Sequence, residues 1–388
     1  MYQFSYHQIV SGRIVAAVLL GLLAALLGTP GRPAAPAVGL SANEAGLDSR
    51  AAATFFLPAV FNGYRSPLWI SAGEVAGRPM SGEAWERVKA AADGDPGPAT
   101  IAEYNAHHDV NTLAVALVYA RTGDVAYRQK AAAAIEAVIG TEAGGLVIML
   151  SRNLVCYIIA ADLINLQQYD PALEAQFRDW IDGARYTEFP DGTIINNHEN
   201  RANNHGTMAG ASRAAIAVYL GDSQELARTA QVFQGWVGDR GAYAGFKFAS
   251  GDLTWQADPA QPVAINPPGA IKEGFPIGGA MPEEMRRGCS FQVPPCLTDY
   301  PWGGLQGAMV QANILARQGY DVWSWQDQAL LRAVEYLDDL EQQYGGWWAH
   351  GDDTYLPWLV NHVYGTDFPT SPANIGKNMS WTDWMYGP

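Results

Sequence analysis

The sequence predicts an all-α fold in which helix hairpins curl into an α/α toroid, an incomplete barrel, with a long loop region around residues 240–300. Three observations carry this. Apolar residues recur at helical spacing in three stretches of one design, VNTLAVALVYARTGD, GTMAGASRAAIAVYLGD and LQGAMVQANILARQGYD, and in the first Val110, Leu113, Leu117 and Val118 share a face. Each stretch ends at a glycine, Gly123, Gly221 and Gly319, spaced 98 residues apart in both intervals, and glycine is the common residue just past a helix end. Each glycine is followed, at once or after Tyr320, by an Asp and a further helical stretch. Helix pairs of this kind bury their apolar faces only by stacking on one another; a solenoid would satisfy the same pattern.

The elements follow in chain order. After Arg13 comes the apolar run Ile14–Leu27, then a Pro/Ala stretch with the small-x-small pattern APA at 35–37. This reads as an export signal over residues 1–37, cleaved near Val38, because the run is short for a membrane span; an uncleaved anchor is the alternative. Residues 38–53 read as a linker and 54–388 as one domain. Further helices are predicted near 80–92, 126–139, 152–166, 171–183, 223–236 and 324–343. Strand signals are weak. Residues 240–300 are rich in Gly, Pro and aromatic residues and break the helical rhythm.

Composition narrows the function. Hydrophobic residues make up 48% and charged residues 16% of the chain, as in a globular protein. Loss of Arg13 and Arg32 with the leader would move the net charge from −15 to −17, which argues against nucleic acid as a partner. A polyanionic ligand would need a local basic cleft. The 13 Trp and 18 Tyr suit sugar stacking as well as packing. In an exported chain Cys289 and Cys296 can pair across CSFQVPPC, while Cys156, in an apolar helical pattern, reads as a buried free thiol. No cysteine spacing resembles a zinc site, and no cofactor is expected.

The segment NNHENRANNHGT, residues 196–207, holds Asn-Asn-His twice, at 196–198 and 203–205. The second copy precedes a helical pattern and resembles the Asn-Asn-His motif of the alginate lyase family, the α/α-toroid polysaccharide lyases. The segment MPEEMRRG, residues 281–288, resembles the family's segment carrying a carboxylate-binding Arg. There a catalytic Tyr follows a few residues later; here the next is Tyr300, and the 289–296 segment fills the longer interval. The resemblance implies a polysaccharide lyase with Asn204, His205, Arg287 and Tyr300 as catalytic residues, acting on an acidic, uronate-containing polymer. Asn203, Asn197, His198, Arg201, Arg286 and Trp302 are expected to bind substrate, with the first triplet auxiliary and in a loop. Such a lyase needs no metal. The chain is read as a monomer, without stable membrane association once the leader is removed.

The chemistry accounts for these residue types. The C5 proton of a uronate is weakly acidic while its carboxylate is charged, so the enzyme must neutralise that group and stabilise an enolate-like intermediate. Arg287 and Asn204 suit this task, and arginine grips a carboxylate with two parallel bonds. His205 and Tyr300 suit proton transfer. Plainer readings stand beside these. Asn203 or Asn204 can cap the helix expected near Thr207, His205 can be a packed histidine, and one of Arg286 and Arg287 can be a surface ion pair. Asp109 or Asn111 can cap a helix that starts near His107 and His108, and Arg152-Asn153 can face the cleft. HGDD at 350–353 reads as a turn or a divalent-ion site, and Trp347-Trp348 as core or sugar platform. Two rival functions are a glycoside hydrolase using a carboxylate pair drawn from Asp109, Glu199, Asp252, Glu283 and Asp299, and a glycan-binding protein without catalysis.

Overall fold

Four helices are buried on nearly all sides: His108–Thr122, Val147–Leu163, Asn204–Leu220 and Tyr300–Arg317. Apolar and small residues cover their whole circumference, the pattern of a helix with no solvent face. Around them lie helices that bury one stripe only, among them Glu83–Asp93, Val125–Val138, Pro171–Ala184 and Ser223–Trp236. The structure, a computed structural model, describes residues 67–388. The expected leader (1–37) and linker (38–53) lie outside the described residues. All described residues belong to one unit, 55–388. It is all-α, with 15 α-helices and one antiparallel pairing, Ile271–Lys272 with Phe275–Pro276, among the described residues. No described helix is long and apolar enough to cross a membrane.

The buried helices run parallel in neighbouring pairs, with an outer helix between successive inner ones as in a toroid. Against the Asn204 helix, Gly303 lies beside Asn204, Gly307 beside the backbone of Thr207 and Met208, and Gln311 beside Gly210. These pairs advance together along both chains, which only parallel helices allow. Likewise Asn153 donates to the carbonyls of Ile101 and Glu103, and His108 Nδ1 lies 2.7 Å from the Tyr157 hydroxyl. The inner helices therefore present their N-termini at a common end. The contact between the Asn204 and Tyr300 helices is unusually close. A Cβ on Gly307 would overlap the Met208 backbone, one on Gly206 the Arg201 carbonyl, and one on Gly210 the Gln311 side chain.

The three periodic glycines fall at positive φ. Gly123 (+72°) and Gly221 (+73°) close their helices, and Gly319 (+91°) follows the Arg317 end. The 240–300 region is irregular, as the sequence predicts, with only short turns of helix at Ser250–Leu253 and Pro282–Met285 and the small strand pair. Two boundaries differ from the sequence reading. The first triplet is not in a loop: Ile194–Asn200 is a helix, capped by the Thr193 hydroxyl on the Asn196 N–H at 3.0 Å. The following helix starts at Asn204 rather than near Thr207.

Candidate active site

The second triplet sits where the chain turns into the Asn204 helix. Asn203 is the cap: its Oδ1 accepts the His205 N–H at 3.1 Å, and its Nδ2 donates to Glu283 at 3.1 Å. The capping role therefore belongs to Asn203, which frees the next two side chains from the backbone. The Asn204 N–H, one of the donors a helix start leaves without an internal partner, is taken by Glu284. The Asn204 side chain faces Gly303 of the neighbouring helix, with Nδ2 3.9 Å from where a Cβ would stand, and its Oδ1 is buried with no partner among the described residues. His205 Nδ1 is likewise buried and unpartnered.

Arg287 and Tyr300 come together across the disulfide loop. The guanidinium lies 4.1 Å from the centre of the Tyr300 ring, and Arg287 Nη1 is buried with no hydrogen-bond acceptor among the described residues. Tyr300 is the first residue of its helix, followed by Pro301, and is 43% exposed. Burial first, then the positive charges of Arg201 and Arg287, push the His205 imidazole down to about 4, against a smaller opposing pull from Asp191. His205 is thus neutral at ordinary pH and stands between two cations. All four residues predicted to be catalytic gather at one end of two inner helices, with three unpaired buried polar atoms among them. Such atoms are uncommon and costly in a folded protein, about 1–3 kcal/mol each.

The sequence reading misses Glu284. It is 1% exposed, holds the Asn204 N–H, lies within contact of Gly304, and leaves Oε2 unpaired. Burial, then the neighbouring Glu283, push its carboxyl well above the usual carboxylate range. It links the Arg287 segment to the start of the Asn204 helix. The only sequence signal was an acidic pair one turn before the two arginines.

Several residues expected to bind substrate lie elsewhere. His198 is 3% exposed and wedged between helices. Its Nδ1 lies 3.3 Å from Arg213 Nη1, its Nε2 3.2 Å from the Gln311 amide. Arg213 only donates, so Nδ1 accepts from it. Burial and then Arg213 and Arg228 hold this imidazole well below its ordinary value. Asn197 is buried too, its Nδ2 donating to the carbonyls of Asp191 and Thr193. Trp302 is 2% exposed and donates to the Trp347 carbonyl at 2.7 Å, so it is core and not a sugar platform. Arg286 is an ion-pair residue, 2.5 Å from Asp252 and 3.0 Å from Glu283. Within the first triplet His198 is thus a structural support, whereas Asn196 and the largely buried Asn197 border a cleft.

A cleft of about 590 Å³ adjoins the second triplet, lined by Arg201, Asn196, Asn200, Asn203, Lys247 and Glu283 among others. Arg201 and Lys247 form no ion pair among the described residues; of the carboxylates that share the cleft, Asp252 and Glu283 are held by Arg286, and Asp191 is the third. Lys247 went unnoticed in the sequence because only the fold brings it beside Asn200, whose carbonyl accepts its backbone N–H at 2.8 Å. Three of the five carboxylates a hydrolase could use are engaged, Glu199 with Arg213 and Arg228, Asp252 and Glu283 with Arg286, whereas Asp109 is buried with Oδ1 unpartnered among the described residues and Asp299 is exposed, 3.7 Å from His350. In HGDD, Asp353 is buried and accepts from Gln306 at 2.7 Å, and no described group of three His, Cys, Asp or Glu side chains is placed to hold a metal. Trp347 is buried, and Trp348 packs edge-on against Trp302.

Cys289 and Cys296 form the expected disulfide, and Cys156 is a buried free thiol. Trp255 anchors this loop by donating to the Cys289 carbonyl at 2.9 Å and packing edge-on against Phe291. Replacing both bridged cysteines by Ser should lower stability by about 2–3 kcal/mol, from loop closure alone. It should lower turnover more than the stability change explains, since the loop joins Arg287 to Tyr300. Thermal melts set beside initial rates check this.

No curated protein matches the chain. Residues 92–244 match the family model described as Alginate lyase, a span that contains both triplets and ends before Arg287 and Tyr300. Over that span, with an all-α architecture and the second triplet at the start of an inner helix, the chain is similar to the alginate lyase family.

Proposed function

We propose that the protein is a polysaccharide lyase that cleaves a 4-linked uronate polymer by β-elimination. One observation carries the reading: at the start of the Asn204 helix an unpaired guanidinium, an unpaired amide and a neutral histidine converge beside a half-exposed phenol. This is the set a uronate requires. Arg287 and Asn204 neutralise the carboxylate, so that charge moving onto it from C5 is stabilised. His205 takes the C5 proton. The electron pair of the broken C–H bond forms the C4=C5 double bond, and the C4–O4 bond breaks. Tyr300 gives its proton to the departing O4, which leaves as the new reducing end of the other fragment. Arg201, Lys247 and the asparagine-lined cleft bind neighbouring sugars. No step calls for a metal or cofactor.

A histidine pushed down to about 4 is a weak base in the empty site. Burial is the larger cause of that depression and persists with substrate; a carboxylate placed beside Arg287 and Arg201 offsets the smaller part, their repulsion, and so strengthens the base. The export signal proposed for residues 1–37 suits this activity, and an oxidising compartment suits the 289–296 disulfide. Three of the five carboxylates a hydrolase could use are held by arginines, which counts against that reading.

The test is a panel of uronate polymers followed in the ultraviolet. We expect at least one to yield an unsaturated product with new absorbance. Reducing ends without absorbance would indicate hydrolysis, and binding without either would indicate a glycan-binding protein.

A further inference from the structure

Three arginines are buried among the described residues, and two of them are paired. Arg213 holds Glu199 and Glu225, and Arg185 holds Asp182 and Asp222. Arg152, only 7% exposed, forms no ion pair, and its Nε and Nη1 are buried with no protein acceptor among the described residues. A buried charge left uncompensated is costly, so a protein retains one where something else completes it. The surroundings say what. The ring of Tyr104, itself 50% exposed, lies 4.2 Å from the guanidinium centre and forms an aromatic wall open to solvent. Burial lowers the Arg152 guanidinium; Tyr104, by charge and by a side-chain hydrogen bond, and the fields of Asp352 and Asp109 oppose this. Of these, Asp352 is already paired with Lys377 at 3.0 Å, and burial raises Asp109 to about 7, which leaves it partly uncharged near neutral pH. Lys377 precedes Asn378, whose Nδ2 donates to the Arg152 carbonyl at 3.2 Å.

The position matches the chemistry. Arg152 lies in the second turn of the inner helix Val147–Leu163, at the end where the inner helices begin. The Val147 N–H of that helix donates to Asp191, whose charge also acts on His205. On the other side, Asp352 and Asp299 act on the same buried Asp353, and Asp299 directly precedes Tyr300. Arg152 thus lies at the same end of the inner helices as His205 and Tyr300, with Asp191 between its helix and the Arg201–Lys247 cleft.

We propose that Arg152, with Tyr104 stacked against it, is a second carboxylate-binding subsite, which holds a uronate of the same chain other than the one that loses its C5 proton. The carboxylate would take the Nε and Nη1 protons, and the Tyr104 ring would cover the apolar face of the sugar. This rests on the lyase reading for its substrate, but its test does not need turnover.

Binding of defined uronate oligomers, and of the same oligomers with carboxyls reduced to alcohols, is measured by calorimetry on full-length protein. The variants are Arg152→Gln, Arg152→Lys and Tyr104→Ala, each made also in a His205→Ala background to prevent cleavage. We expect Arg152→Gln to weaken uronate binding by about tenfold or more, Arg152→Lys to recover part of it, and Tyr104→Ala to weaken it less. Affinity for the reduced oligomers should be the same in wild type and Arg152→Gln. Removing an uncompensated charge should also leave the Tm of Arg152→Gln unchanged or higher, where an arginine with a purely structural role would lower it. Uronate affinity equal to wild type in a folded Arg152→Gln protein overturns the proposal. If that variant fails to fold, unchanged affinity in Tyr104→Ala overturns it. Absence of unsaturated product from every polymer would count against the lyase reading alone, because the binding comparison stands without it.

Discussion

His205→Ala is expected to reduce turnover by about a hundredfold or more on any polymer the protein cleaves, the usual scale for loss of a positioned proton-transfer group. Stability should change little, because the ring is half-buried and its Nδ1 bonds to no described group. His198→Ala serves as the contrast. That ring is packed between Arg213 and Gln311, so its removal should cost about 2–4 kcal/mol in stability, with turnover per folded molecule retained. The pH dependence gives a second check. Since His205 is held near 4 in the free protein, kcat/KM should fall as pH drops through about 4 and the ring gains a proton. The acid limb of kcat should lie at higher pH, because bound carboxylate offsets Arg201 and Arg287. Full turnover in His205→Ala would remove histidine from the mechanism and leave Tyr300 to carry both proton transfers.

Arg287→Ala is expected to cost roughly 10²–10³ in kcat, since it removes the donor aimed at the charge that develops on the carboxylate. Arg287→Lys should recover only part of this, because an ammonium supplies charge without the two-pronged geometry. Arg287 also contributes to the depression of His205, so its removal must let the imidazole rise toward its ordinary range. A proton NMR titration of His205 in the Arg287→Ala protein measures this without substrate. An upward shift with lost turnover identifies Arg287 as both carboxylate ligand and modulator of the base. No shift and no loss would place the carboxylate site elsewhere, with Arg201 and Lys247 the next candidates.

The helices were legible because their signals are local: apolar spacing, terminal glycines and the Asp that begins the next helix. The Asn204 site was legible for the same reason, since a polar cluster stood immediately before a strong helical pattern. What could not be read depended on tertiary burial. The segment IINNHEN is rich in asparagine and β-branched residues, which are poor helix formers, yet it folds as Ile194–Asn200 under a Thr193 cap and against the Asn204 helix. His198 and His205 have nearly identical neighbours in sequence, and only packing separates a buried support from a candidate base. Trp302 was open to correction by geometry alone. Two positions apart on a helix is about 200° of rotation, so Tyr300 and Trp302 cannot both face the opening. Glu284 and Arg152 become conspicuous only once their partners can be counted.

The glycine contact between the Asn204 and Tyr300 helices sets a tolerance for the whole site. Because Gly307 brings the second backbone against the first at Thr207 and Met208, the separation of imidazole and phenol is set in large part by main chain rather than by adjustable side chains. Core helices padded with leucine can absorb substitutions by repacking and drift apart by fractions of an ångström over evolutionary time; this pair has nothing to repack. The spacing between His205 and Tyr300 is therefore inherited as a unit. Adaptation to a different sugar sequence or epimer has to be made in the irregular 240–300 segment, which can lengthen, as it does between Arg287 and Tyr300, without disturbing that gauge.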